Sequence, residues 1–197
     1  MMGLDLNKLE EEARRDDVPL MFDDGMAFLL AYLQNHPEIM RILEAGTAVG
    51  WSSMKMASVR DNITIDTIEI DEERYQAAKK NIAAAGLDDR IFCWHMDALD
   101  YATVKYYDLF FIDAAKSQYA RMVRHFLAFS YVGSVFVFDN LNFHGIVDDP
   151  SLSNNRSTLQ MTRKIAKFRD WLAGNDAFAT EFHPEIGDGI AFAKRVK

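Results

Sequence analysis

From residue 41 onward, short apolar runs alternate with stretches of helical periodicity, and no other feature limits the possible folds so strongly. Residues 41–45, 63–70, 91–96, 107–112 and 134–138 read as strands. Between them, the spacing predicts helices over 52–60, over 72–85 and over 118–129. Asp71 is placed to cap the second of these, with Tyr75, Ala78, Ile82 and Ala85 as its buried face and Gly86 closing it. The fourth apolar run is almost unbroken, as a strand covered on both faces should be. Strands separated by helices assemble into a parallel sheet flanked by helices on both sides.

The two ends depart from this rhythm. Residues 1–37 read as a helical segment packing on the core, with a charged stretch over 6–15 and an apolar stripe of Met26, Leu29, Leu30 and Leu33. After the fifth strand, 142–156 reads as a mobile polar loop. Ser157 and Gln160 read as a capping box that opens a helix to Ala173, ended by Gly174. Two further strands, 178–182 and 190–196, flank Gly187-Asp188-Gly189, a hairpin signal. The expected architecture is α/β: a Rossmann-like, seven-stranded, mostly parallel sheet with helices on both faces and a C-terminal antiparallel hairpin.

At 197 residues the chain is expected to form one domain, 1–197. Its 49% hydrophobic and 26% charged residues exclude a mainly disordered chain. A net charge of −8 disfavours nucleic acid as a partner, although a local basic patch can defy the total. The single cysteine, Cys93, cannot form an internal disulfide and reads as a small apolar filler of a buried strand. Neither a signal-peptide pattern nor a run long enough to span a bilayer is visible, so a cytoplasmic protein without a membrane partner is expected.

Chemistry gathers at the strand ends. The first strand runs into Glu44-Ala45-Gly46-Thr47-Ala48-Val49-Gly50-Trp51-Ser52, where Gly46 and Gly50 allow close backbone approach to a ligand. Two glycines so spaced also suit a plain strand-to-helix turn. Glu69 ends the second strand at about the separation from Gly46 at which nucleotide-binding sheets place an acid for ribose hydroxyls. Asp97, Asp113 and Asp139 end the next three strands, with Asn140 beside the last. Ligands of open α/β sheets bind outside the carboxyl ends of the strands, so these side chains point toward one crevice. Two carboxylates and an amide oxygen suit Mg²⁺ or Ca²⁺; equally, strand-end aspartates cap the turns that follow them. Lys116 is either a base or a solvated counter-charge.

Five blocks, ILEAGTAVGWSS, DTIEIDEERYQAAKKNIAAAG, FFIDAAKSQY, FVFDN and IGDGIAFAK, taken in order, resemble the cation-dependent class I O-methyltransferase family. That family includes catechol and caffeoyl-coenzyme A methyltransferases and a bacterial branch acting on 5-hydroxyuridine at the tRNA wobble position. The resemblance implies S-adenosyl-L-methionine and a divalent cation, Mg²⁺ foremost, as cofactors. It implies that Glu44, Gly46, Thr47, Gly50 and Ser52 line the methionine end of the cofactor, Glu69 its ribose, and Asp97 and Ala98 its adenine, with Met21 in the covering segment. It further implies that Asp113, Asp139 and Asn140 bind the metal, that Asp113 also meets the cofactor amine, and that Lys116 assists deprotonation of the acceptor. A homodimer is a family expectation. Met96 replaces a glycine usual before the adenine-side acid, His144 stands where the bacterial branch tends to have arginine, and the sequence begins late relative to the family's N-terminal helix. These departures bear on the acceptor, not on the cofactor.

The expected activity is metal-assisted methyl transfer to a hydroxyl of a small catechol-like substrate. The alternative within the class is a tRNA wobble 5-hydroxyuridine methyltransferase, for which Arg121, Arg124, Arg156, Arg163, Lys164 and Lys167 would have to gather into a patch rather than form a solvated helix face. From another class comes a non-catalytic nucleotide-binding module, disfavoured by the intact Asp113, Lys116, Asp139 and Asn140 set. A dinucleotide oxidoreductase is disfavoured because Ala48 stands where its second glycine should be.

Overall fold

The computed structural model describes residues 4–197. Two helices lead, α1 (Leu6–Arg15) and α2 (Asp23–Asn35). Strands and helices then alternate: β1 (Arg41–Ala45), α3 (Trp51–Ala57), β2 (Thr64–Glu69), α4 (Glu72–Ala84), β3 (Ile91–His95), β4 (Leu109–Ile112), α5 (Tyr119–Phe126) and β5 (Val135–Phe138). The chain ends with α6 (Arg156–Ala173), β6 (Phe178–His183) and β7 (Ile190–Arg195). All seven strands form one sheet in the order β3-β2-β1-β4-β5-β7-β6. Strands β1 to β5 are parallel, and β7 runs antiparallel to both β5 and β6.

Side-chain alternation explains why the central strands are apolar at every position. In β4, Leu109 and Phe111 join one hydrophobic cluster, while Phe110 and Ile112 join the cluster on the opposite face. In β5, Val135 and Val137 divide from Phe136 and Phe138 in the same way. The first cluster takes in Leu9 of α1, Leu29 and Leu33 of α2, Met54 of α3 and Ile82 of α4. The second is aromatic, with Tyr119 and Phe126 of α5 and Phe168 of α6 around stacked Phe110 and Phe136, whose centroids lie 4.4 Å apart.

Several local expectations are corrected. Helix α6 is capped by Asn155, whose side chain accepts from the backbone of Ser157 and Thr158, so Ser157 lies inside the first turn and not at the cap. The helix after β4 is broken into α5 and two flanking 3₁₀ turns, Lys116–Gln118 and Leu127–Phe129. Cys93 sits in β3, an edge strand, and is only partly buried. The polar loop after β5 holds a 3₁₀ turn, Pro150–Leu152, capped by Asp149, and Arg169 of α6 binds Asp148 at 2.9 Å. Asp71 caps α4 as the sequence indicates, and Gly86 adopts φ +68°. Among the described residues, no helix is long and apolar enough to cross a membrane.

Candidate active site

The carboxyl ends of β1, β2, β3 and β4 open into a cavity of about 290 Å³. Its walls come from the turns leaving those strands, and Pro19, Leu20 and Met21 cover it from the segment between α1 and α2. The turn after β1 is built on Gly46. Its φ is +102°, and a Cβ there would fall 2.2 Å from the carbonyl oxygen of Asp113. The close approach of two strand-end turns therefore requires the absence of a side chain. Gly50, also left-handed, starts α3 and brings Ser52 to the cavity.

Glu69 closes the same turn from the next strand. It is 6% exposed. Its Oε2 accepts from Ala48 N at 2.8 Å, and its Oε1 accepts from Ile70 N and Asp71 N at 3.0 Å each. Three backbone donors fix the carboxylate at the cavity wall. Asp97 follows β3 in the same manner, its Oδ1 accepting from Leu99 N at 2.9 Å, between Met96 and Ala98.

Glu44 and Gly50 lie behind the cavity wall. Neither lines the cavity. Glu44 is fully buried beneath the floor, where it accepts from the hydroxyls of Ser52, Ser53 and Thr67. Burial pushes its carboxyl up to about 7 despite those three donors. Through that hydrogen bond it holds Ser52 from beneath. The walls also contain Trp51, Ile68, Ile70, Arg74, Gln118 and Met122, which sequence reasoning did not single out. Apolar residues of a ligand cavity look like core residues in a sequence; only Ile70, apolar yet 66% exposed, stands out once the fold is known.

Beside the cavity lies a second polar centre. Asp113 and Lys116 both line the cavity and form an ion pair, Nζ to Oδ1, at 2.6 Å. Asp139, at the end of β5, is 0% exposed, and neither of its carboxylate oxygens has a hydrogen-bond partner. Burial, and then the neighbouring charge of Asp113, push its carboxyl up. An unpaired buried carboxylate is costly unless it is neutralised or given a cation. Asn140, in left-handed backbone at φ +58°, directs its Nδ2 to Asp188 Oδ2 at 3.4 Å. Tyr119, fully buried, donates its hydroxyl to the carbonyl of Asp139 at 2.8 Å. Neither Asp139 nor Asn140 lines the cavity; they follow β5, which neighbours β4 in the sheet, so Asp139 feels the charge of Asp113. Among the described residues, no group of three or more histidine, cysteine, aspartate or glutamate side chains is arranged to hold an ion, so the set is at most two carboxylates and an amide. Arg121 and Arg124 on α5 and Arg156, Arg163, Lys164 and Lys167 on α6 are all exposed, on helices whose other faces enter the core.

Comparison with known proteins gives the same direction. The O-methyltransferase family model matches residues 6–196. A caffeoyl-CoA O-methyltransferase from Stellaria longipes is 28% identical over 177 residues, covering 85% of this chain and 73% of that protein. A catechol O-methyltransferase from Niastella koreensis is 29% identical over 163 residues, covering 77% and 72%. Among solved structures, a caffeoyl-CoA O-methyltransferase candidate from Staphylococcus aureus superposes with a TM-score of 0.92 at 30% identity, covering 98% of this chain and 93% of that one.

Proposed function

The chain belongs to the O-methyltransferase family, and on that premise we propose that it methylates a hydroxyl of a small catechol-like acceptor held on a divalent cation by Asp113, Asp139 and Asn140. It is an S-adenosylmethionine-dependent enzyme. That cofactor supplies a methyl group already activated by its sulfonium. Glu69 would bind its ribose hydroxyls, Asp97 and Ala98 its adenine side, and Gly46, Thr47 and Ser52 its amino-acid end, under the cover of Met21.

One observation carries the metal reading: the Asp139 carboxylate is buried with both oxygens unpartnered, next to the charge of Asp113. Hard oxygen donors of this kind fit Mg²⁺. Such a cation, when bound, acidifies a coordinated hydroxyl. Lys116 stands within reach of the same centre through its ion pair with Asp113, where its Nζ would assist removal of the acceptor proton. Asp113 lines the cavity and its charge acts on Asp139, so it would couple acceptor and donor and align them.

The test is a methyl-transfer assay across catechols, caffeoyl thioesters and hypomodified tRNA, with Mg²⁺ and with excess chelator. Transfer to the phenols is expected, with Asp113→Ala and Asp139→Ala inactive yet folded. Undiminished activity in chelator would remove the cation from the reading. Transfer to tRNA alone would replace the acceptor.

A further inference from the structure

A buried carboxylate that the reaction above does not use lies in the connection between β6 and β7. Asp188 is 6% exposed. Its Oδ1 accepts from the backbone N of His144 at 2.7 Å, and its Oδ2 accepts from Asn140 Nδ2 at 3.4 Å. The imidazole Nδ1 of His144 lies 3.8 Å from the same Oδ2. The nitrogen of the Asn140 amide faces Asp188, so its oxygen is turned away.

The segment so held is strained. Asn140, Phe143 and His144 have φ of +58°, +45° and +55°. Side-chain-bearing residues keep such conformations only where their surroundings over-determine them. Backbone bonds from the same connection add to the restraint: Leu141 N donates to Gly189 O at 2.9 Å, and Asn142 N to Asp188 O at 2.8 Å. On its other side the connection grips α2. Gly187 N donates to Asp24 Oδ2 at 2.9 Å, and Gly25 packs against both Gly187 and Met21, a residue of the cavity cover.

We propose that Asp188 is a positioning residue: it fixes the Asn140 amide with its oxygen presented to the cation, from a turn that also anchors the segment covering the cofactor cavity. The inference rests on the proposed function, because that reading gives the Asn140 oxygen its cation. A plain loop staple would use the same hydrogen bonds, but it would affect stability and cofactor binding as much as metal affinity.

Mn²⁺ serves as the probe. Its binding to the whole protein saturated with S-adenosylhomocysteine is followed by electron paramagnetic resonance, alongside S-adenosylhomocysteine affinity by calorimetry and thermal melting. Asp188→Ala should weaken Mn²⁺ by about 10–100-fold, the usual effect of losing a group that orients a ligand, while cofactor affinity changes by less than about threefold. The exchange variant Asp188→Asn with Asn140→Asp keeps one carboxylate and one amide in reversed positions, and should recover most of the Mn²⁺ affinity lost in Asp188→Asn alone. Wild-type protein that takes up no Mn²⁺ would overturn the cation site itself, and this inference with it. Wild type that binds while Asp188→Ala binds equally well would overturn only the role of Asp188. Parallel losses of cofactor affinity, metal affinity and melting temperature, without recovery in the exchange variant, would also overturn it.

Discussion

At the scale of single residues, the site depends on positions whose backbone or burial leaves little choice. Gly46 and Gly50 make a controlled pair. Both are left-handed, but a Cβ at Gly46 collides with the Asp113 carbonyl at 2.2 Å, whereas one at Gly50 meets only side-chain carbons of Ile82 and Ala78 at 3.4–3.5 Å. Gly46→Ala should therefore cost on the order of 3 kcal/mol or more, and Gly50→Ala about 1–2 kcal/mol. Urea melts of the two variants check the order, and equal losses would contradict the close approach of the two turns. Glu44 gives a pH signature. Its folded-state value of about 7 lies above the ordinary 4.5, so between those values the folded protein binds more protons than the unfolded chain. Its contribution to stability is complete below pH 4.5 and is lost as the pH rises through 7. Glu44→Gln, which cannot ionise, should lose that slope and so improve relative to wild type between pH 5 and pH 8. A difference in unfolding free energy that is constant over this range would show that Glu44 is charged throughout.

Among the elements, β-strands at the centre of the sheet and helix α4 follow their local sequence closely, whereas helix α6 does not begin where its sequence pattern suggests. Two capping patterns compete there, Ser157 with Gln160 and Asn155 with the following residues. Asn155 prevails because its Oδ1 accepts from Ser157 N at 2.9 Å, Thr158 N at 3.2 Å and Ser157 Oγ at 2.6 Å. Asn155→Ala should cost about 1 kcal/mol, and Ser157→Ala only a few tenths. Chemical denaturation measures both, and the reverse order would return the cap to Ser157. The loop preceding α6 matters for the same reason. Its register is set by contacts with α6, such as Asp148 with Arg169, and with the connection between β6 and β7, through Pro184 and Asp188, and not by local propensity.

For the molecule as a whole, a cofactor bound in the cavity at the ends of four strands would stabilise the fold by linkage. S-adenosylhomocysteine at 100 times its dissociation constant should add about 2.7 kcal/mol, or roughly 5–10 °C in melting temperature. No shift at saturating ligand would show that the cavity is not the cofactor site. The alternation of strand and helix, the seven strands and the terminal hairpin were all legible in the amino-acid sequence, since period and turn chemistry are local properties. So were Glu69, Asp97 and Asp113 as residues of the cavity wall, because each stands at the carboxyl end of a recognisable strand, whereas Asp139, expected in the same crevice, does not line it. Local pattern could not tell Glu44, beneath the cavity floor, from Glu69 in its wall: both are strand acids, and only the packing of Ser52, Ser53 and Thr67 around one of them separates the two. Nor could it assign Trp51, Ile70 and Met122 to a cavity, because an apolar side chain reads alike in a core and in a ligand wall. Asp188 and Asn140 are neighbours across 48 positions of chain, so their pairing exists only once β7 lies against β5. What the order of residues determined is the set of elements and the acids at their ends; which of those acids face a ligand, which are buried supports and which are left without a partner was decided by how the sheet brings distant turns together.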